Sequence, residues 1–298
     1  MLQIIQKRMY AYWFSGILTL VSVILIALWG FNFGIDFKGG TLMEIQFSLD
    51  QTPPVSVIEE KLAHIPLKSL TIQPTNERGV LLRYLASDEM ANELVLSALM
   101  SFDSGLVQLR TDFIGGSVSS QIKKNAILGI TLSIIAIALY IAWAFRRVTG
   151  VVTSWEYGLG AVIALAHDII IVLGLFVLLG RYYGVEIGVP FIAALLTILG
   201  YSVNDTIVVY DRVRENLQRL GRKEDFESVV NRSLNETLGR SINTSMTVII
   251  TLIAIVLFGG ESTRYFGVAL LAGVAFGTYS SIYIASALLV TRYKMKTK

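Results

Sequence analysis

The sequence contains no cysteine, which excludes disulfides and thiolate metal sites but says little about compartment. Only two histidines are present, His64 and His167, so a multi-histidine metal centre is excluded as well. Charge is also scarce. Asp, Glu, Lys and Arg make up 16% of the 298 residues, against 54% hydrophobic, a balance that excludes two ordinary soluble domains. Nothing in the composition calls for a cofactor or for nucleic acid as a partner.

What fills the chain instead is a series of apolar runs. Six stretches of about 20 residues each match a hydrocarbon layer of ~30 Å. They cover 12–30, 126–145, 158–179, 189–209, 241–258 and 265–291. One such run fits a buried core helix, but six in 298 residues leave no soluble protein to bury them. A polytopic α-helical membrane protein in contact with lipid is expected. The basic residues alternate by segment. Lys7 and Arg8 precede the first span, Arg146 and Arg147 follow the second, and Arg212, Arg214, Arg219, Arg222, Lys223, Arg232 and Arg240 follow the fourth. Arg292, Lys294, Lys296 and Lys298 end the chain. The positive-inside rule then places both termini in the cytoplasm. The first run is too long for a signal-peptide core and has no small-x-small cleavage site before Phe31, so a retained anchor is expected.

Three regions follow: 1–30, with the first span; 31–122, which must face outside; and 123–298, five further spans with a cytoplasmic loop near 211–239. The 31–122 region alternates like a folded α+β domain. Met43, Ile45, Phe47 and Leu49 share one face of a strand over 41–49. Ser56 and Glu59 form a capping-box pattern ahead of Ile58, Leu62 and Ile65. Strands at 67–73 and 80–85 flank a turn-rich 74–79, Ser87 caps a helix with Asp88 and Glu89 in its first turn, and 106–113 is a last strand. The order βαββαβ is that of a ferredoxin-like unit. Eleven acidic residues against six basic ones suit an aqueous outer face. Nothing in the unit looks catalytic, and His64 has no carboxylate partner in view. The charge-alternating 211–236 reads as an amphipathic helix lying at the interface.

Charge inside a spanning helix costs at least about 2.5 kcal/mol on insertion scales and marks a functional position. Asp168, beside His167, falls near the middle of span three, and Asp205, after Asn204, falls in span four. Arg240 opens span five. At 1.5 Å per residue, Asp205 lies roughly 24 Å below the start of span four, and Arg240 roughly 27 Å from the far end of span five. The two therefore come to similar depth. Arg240, Asn243, Thr244, Thr247 and Thr251 share one helical face, as do Thr197, Tyr201, Asn204 and Asp205. Two such stripes meeting across neighbouring helices would line a hydrated crevice holding an Asp205–Arg240 pair. Interhelical polar glue is the competing reading, and for Asp168, which shares a small-residue face with Gly160 and Ala164, both readings stand. An intramembrane aspartyl protease fits poorly, because Asp205 is framed by Ser-Val-Asn and not by Gly-x-Gly. Gly273 and Gly277 form a small-xxx-small contact pattern in span six.

These residues resemble the SecF family, the smaller half of the bacterial SecD–SecF export factor and a relative of the RND transporters. The segment at Gly34, Asp36, Gly39 and Gly40 is similar to the family's opening signature. Ala166-His167-Asp168, 200–216 (GYSVNDTIVVYDRVREN) and 240–245 (RSINTS) match its others. The resemblance implies an inner-membrane subunit that works with SecD and the SecY-containing translocon on preproteins. It implies use of a proton or sodium gradient to promote export and release. By motif position it makes Asp205 and Arg240 ion-pathway residues, with His167, Asp168 and Asn204 beside them. A passive scaffold for the translocon and an RND-type small-solute exporter remain the alternatives.

Overall fold

A computed structural model describes the chain apart from residues 49–51, 76–77, 86–89, 147–151, 221–223 and 297–298. Two compact units emerge, Met1–Asn32 with Ile127–Lys298, and Phe33–Ala126. In chain order, α1 (Arg8–Trp29) is the first long apolar helix, and α2 (Ile35–Lys38) is a single turn. β1 (Gly40–Gln46), α3 (Val55–Leu62), β2 (Lys68–Pro74), β3 (Gly79–Leu85), α4 (Met90–Phe102) and β4 (Val107–Ile114) complete the α+β unit. The helices α5 (Gly116–Ala144), α6 (Ser154–Tyr183), α7 (Val189–Leu220) and α8 (Phe226–Phe258) follow. The last span is α9 (Glu261–Ser280) and α10 (Ser286–Lys296), joined by a π turn at Ser281–Ala285. Among the described residues, six helices are long and apolar enough to cross a membrane, as the hydropathy pattern required.

The α+β unit realises the expected order as one antiparallel sheet, β2-β3-β1-β4. Register pairs Met43 with Leu82 and Ile45 with Val80, so alternate residues of both strands fall on one face. That face is buried with Ile58 and Leu62 of α3 and Val95 and Leu99 of α4. Each such side chain contributes about 1.5–3 kcal/mol by leaving water. The capping box does not form. Pro54 is the N-cap and has no side-chain acceptor to offer, because the Pro53-Pro54 pair starts the helix at Val55 and leaves Ser56 inside its first turn. Leu49, Ser87, Asp88 and Glu89 lie outside the described residues. His64 sits exposed in the turn after α3.

The bundle packs through small residues. Side-chain atoms of Ser22 in α1 stand 2.4 Å from where a Cβ on Gly174 of α6 would lie. Ile198 of α7 stands 2.3 Å from the corresponding point on Gly273, and Ser202 stands 3.0 Å from that on Gly277. The small-xxx-small pattern of span six is therefore its seat against α7. Residues 211–239 differ from the expected separate interfacial helix. Apart from 221–223 and the bend that follows, they continue α7 and α8 as a helical hairpin, with no breaker between Val209 and Arg214 and a single glycine, Gly239, accommodated inside α8 between Glu236 and Ser241. Arg212 pairs with Glu236 at 2.6 Å and Asn216 donates to Ser233 at 3.0 Å across it.

Both termini dock at this end of the bundle. The Asn231 side chain accepts from the Ile4 amide at 2.9 Å and donates to Leu2 O at 2.9 Å. Glu227 pairs with Arg8 at 2.8 Å and with Lys294, and Glu156 pairs with Lys296 at 2.6 Å. Glu156 also closes the true capping box of α6, where it accepts from the Thr153 amide at 2.8 Å.

Candidate functional site

Helix α7 presents Ser202, Asp205 and Thr206 toward its neighbours, all nearly inaccessible to solvent. Asp205 is 8% exposed and holds no ion pair among the described residues. Its Oδ1 accepts from Ser241 Oγ of α8 at 2.6 Å, and its Oδ2 accepts from Ser281 Oγ of the π turn. Asp168 of α6 is fully buried. Its Oδ2 accepts from Ser202 and from Ser280, each at 2.7 Å, and its Oδ1 meets His167 Nδ1 at 3.0 Å. His167 stacks on Tyr279, ring centroids 6.5 Å apart, and its Nε2 has no hydrogen-bond partner among the described residues. Two carboxylates from two helices are thus each held by serine hydroxyls. One adjacent pair, Ser280 and Ser281, serves both. Hydroxyl donors stabilise a carboxylate without fixing a countercharge, so the neutral acid is also accommodated.

The expected Asp205–Arg240 pair does not form. Arg240 and Ser241 are neighbours separated by a third of a helical turn, and it is Ser241 that points inward while Arg240 lies exposed. The stripe itself is real. Arg240, Asn243, Thr244, Thr247 and Thr251 are all exposed, and Thr197 and Asn204 of α7 are exposed too. Thr244, Thr247 and Thr251 turn their hydroxyls back to carbonyls of α8. Among the described residues, the side chains of Arg240, Asn243 and Asn204 have no polar partner in the chain. The helical wheel grouped these residues rightly and aimed them wrongly: the stripe faces out of the bundle. Tyr201 also bridges the two helices, donating to Ser245 Oγ at 3.2 Å, and Ser245 in turn meets Thr278 at 2.5 Å.

Gly34, Asp36, Gly39 and Gly40 belong to the α+β unit and solve a backbone problem. Gly39 (φ 76°) and Gly40 (φ 112°) turn the chain from α2 into β1. Both lie in the left-handed region, and a Cβ on Gly40 would stand 2.6 Å from Tyr84 O. Gly34 is the extended N-cap of α2, and Asp36 lies in its first turn.

The serines were the residues that sequence reasoning missed. Ser280 and Ser281 sit in an apolar span without a motif, although two adjacent hydroxyls at that depth are themselves a signal. The π turn left no trace in the periodicity.

Residues 95–295 match the family model for the C-terminal region of protein export membrane proteins SecD/SecF. Residues 25–48 match the SecD/SecF GG motif, which explains the two left-handed glycines. The chain is 41% identical to protein translocase subunit SecF of Thermobaculum terrenum, over 98% of this chain and 94% of that one. It is 37% identical to the same subunit of Sebaldella termitidis, over 100% of this chain and 94% of that one. Among solved structures it is similar to SecDF of Thermus thermophilus, a translocon-associated membrane protein, with TM-score 0.82 and 33% identity over 99% of this chain. The chain spans 38% of the length of that protein.

Proposed function

The chain belongs to the SecD/SecF family of protein-export membrane proteins, and on that premise we propose that it is an accessory subunit of the Sec translocase. Together with SecD it draws on a transmembrane proton or sodium gradient to promote preprotein export and release beside the SecY-containing translocon. The observation that carries this reading is the polar face of α8, with Arg240 and Asn243 exposed one and two positions from Ser241, which donates to the carboxylate of Asp205. Lipid is a poor cover for such a face, since an Arg at the helix centre costs about 2.5–3.5 kcal/mol. A partner helix with matching polar groups, or water held between the two, removes that cost. A relative in which SecD and SecF form one longer chain supplies the obvious partner.

In this reading both termini are cytoplasmic, the α+β unit faces outside, and the multi-pass bundle stands in the bacterial inner membrane. Asp205 binds and releases the coupling ion. His167, Asp168 and Asn204 stand beside the path, and Tyr201, Asn243, Thr244 and Thr247 line its entry. The positive charge of Arg240 favours the ionised carboxylate and so biases when Asp205 empties. One charge crossing ~100 mV supplies about 2.3 kcal/mol, enough for repeated small displacements of packed helices.

The test is preprotein export into inner-membrane vesicles carrying this chain, its SecD partner and the translocon, with and without an imposed gradient. Asp205→Asn should leave basal export and lose the gradient-dependent increment. An undiminished increment sinks the ion-coupling reading and leaves a scaffold.

A further inference from the structure

The π turn begins at the adjacent serine pair, Ser280 and Ser281, that reaches both carboxylates. Ser280 and Ser286, which flank the turn, have ordinary right-handed helical angles, so the irregularity is confined to Ser281–Ala285. A π turn changes which amide meets which carbonyl, and such turns need outside donors for carbonyls left short. Two hydroxyls supply them. Tyr210 of α7 donates to Ala285 O at 3.0 Å, and Ser286 Oγ donates to Ser281 O at 3.0 Å. Gly160 of α6 makes room for the first, since a Cβ there would stand 2.6 Å from the Tyr210 hydroxyl.

Ahead of the turn, each serine has one proton and two acceptors. Ser280 Oγ lies 2.7 Å from Asp168 Oδ2 and 3.1 Å from Gly277 O. Ser281 Oγ contacts Asp205 Oδ2 and lies 3.0 Å from Thr278 O. The Ser281 amide is shared between those same two carbonyls, Gly277 O and Thr278 O. The choices are therefore linked. While Asp205 is charged, Ser281 donates to it. When Asp205 is neutral, its own proton needs an acceptor, the Ser281 oxygen becomes one, and the Ser281 hydroxyl turns to Thr278 O. The shared amide then moves toward Gly277 O, and the Ser280 hydroxyl is left to Asp168.

We propose that Ser280 and Ser281 are positioning residues that join Asp168 and Asp205 into one titrating unit through the backbone of the sixth span. This deepens the ion-coupling reading above and rests on it. It gives fully buried Asp168 a part in ion exchange without direct access to the exposed stripe. The titratable groups on the packed elements include His167, Asp168 and Tyr157 on α6, Tyr201 and Tyr210 on α7, Arg240 on α8, Tyr12 on α1, and Tyr279 and Tyr283 on the sixth span. Of these, only His167 and Asp168 are linked to the serine pair by the hydrogen bonds described.

Ser202 provides an internal control. It donates to the same Asp168 oxygen at the same 2.7 Å as Ser280, but from α7. The experiment is infrared difference spectroscopy on the full chain reconstituted with its SecD partner, following the carboxylic-acid C=O band that Asp205→Asn removes. Ser280→Ala should displace the pH midpoint of that band by about threefold or more in proton concentration, the scale of one altered hydrogen bond. Ser202→Ala, which perturbs Asp168 but leaves the backbone route intact, should displace it by clearly less, and Ser280→Thr, which keeps the hydroxyl, should restore it. Equal displacement by Ser280→Ala and Ser202→Ala, or none by Ser280→Ala, overturns the inference alone. If Asp205→Asn removes no band at all, Asp205 exchanges no proton and the inference falls with it, while export driven by sodium would still stand.

Discussion

Helices α5 and α8 are both thinly covered by the rest of the chain, yet α8 carries a polar stripe beside exposed apolar side chains such as Ile242, Met246 and Ile250. On α5 the exposed side chains include Ile127, Leu128, Leu132, Ile135 and Leu139. On α8 they include Arg240, Asn243, Thr244, Thr247 and Thr251. Hydrocarbon is a good solvent for the first face and a costly one for the second. Exposure in an isolated chain therefore means two things in a membrane protein, and side-chain chemistry separates them. One face suits lipid as it stands, and the other is the one the proposed function assigns to a partner. The helices α6 and α7 and the sixth span form a third case, buried among themselves through Gly, Ala and Ser.

The comparison can be broken most sharply at Asp205, where Asn keeps the shape and removes the exchangeable charge. The expected outcome is loss of the gradient-dependent rate by about a hundredfold, the scale of a deleted proton-transfer group, measured as gradient-driven current through the complex. Next in size, Arg240→Leu turns the polar face into one like α5. It should improve membrane insertion of the isolated α8 segment by about 3 kcal/mol, read by glycosylation-tag partitioning, while weakening co-purification of SecD. Overpacking the third case comes after. Gly273→Leu should lower stability by about 1–3 kcal/mol in a thermal melt, because Ile198 occupies the space, whereas Leu139→Ile on α5 should change nothing measurable. The smallest effect lies in the α+β unit. Burial pushes the Tyr84 hydroxyl up to about 12, only partly offset by its hydrogen bond with Thr41. A raised value favours the neutral form in the folded state. The unit should therefore keep full stability below pH ~10 and lose about 1–2 kcal/mol as pH rises through the folded value, and Tyr84→Phe should remove that slope.

Much of the architecture was legible because single residues carried it. Apolar length gave six spans, and period-two alternation at Met43, Ile45 and Phe47 gave β1 and its buried face. Gly273 and Gly277 gave a close helix contact. The site was legible only in part. Asp168, Asp205 and Arg240 stood out as charges in apolar runs, but a helical wheel gives the phase of a face and not its direction, so Arg240 was aimed at Asp205 when its neighbour Ser241 was. The four serines that hold the carboxylates are small and uncharged, and in an apolar helix they read as packing. The π turn is a tertiary outcome: it depends on Tyr210 and Gly160, which lie far from it in sequence.

The absence of cysteine makes the central comparison directly measurable. Single cysteines at Asn243 and Leu139, spin-labelled in the reconstituted complex with SecD, report how freely dissolved oxygen from the lipid reaches each face. The expected result is high oxygen accessibility at 139 and low accessibility at 243, the latter rising when SecD is left out. Equal and high accessibility at both sites with SecD present would contradict the assignment of the α8 face to a partner.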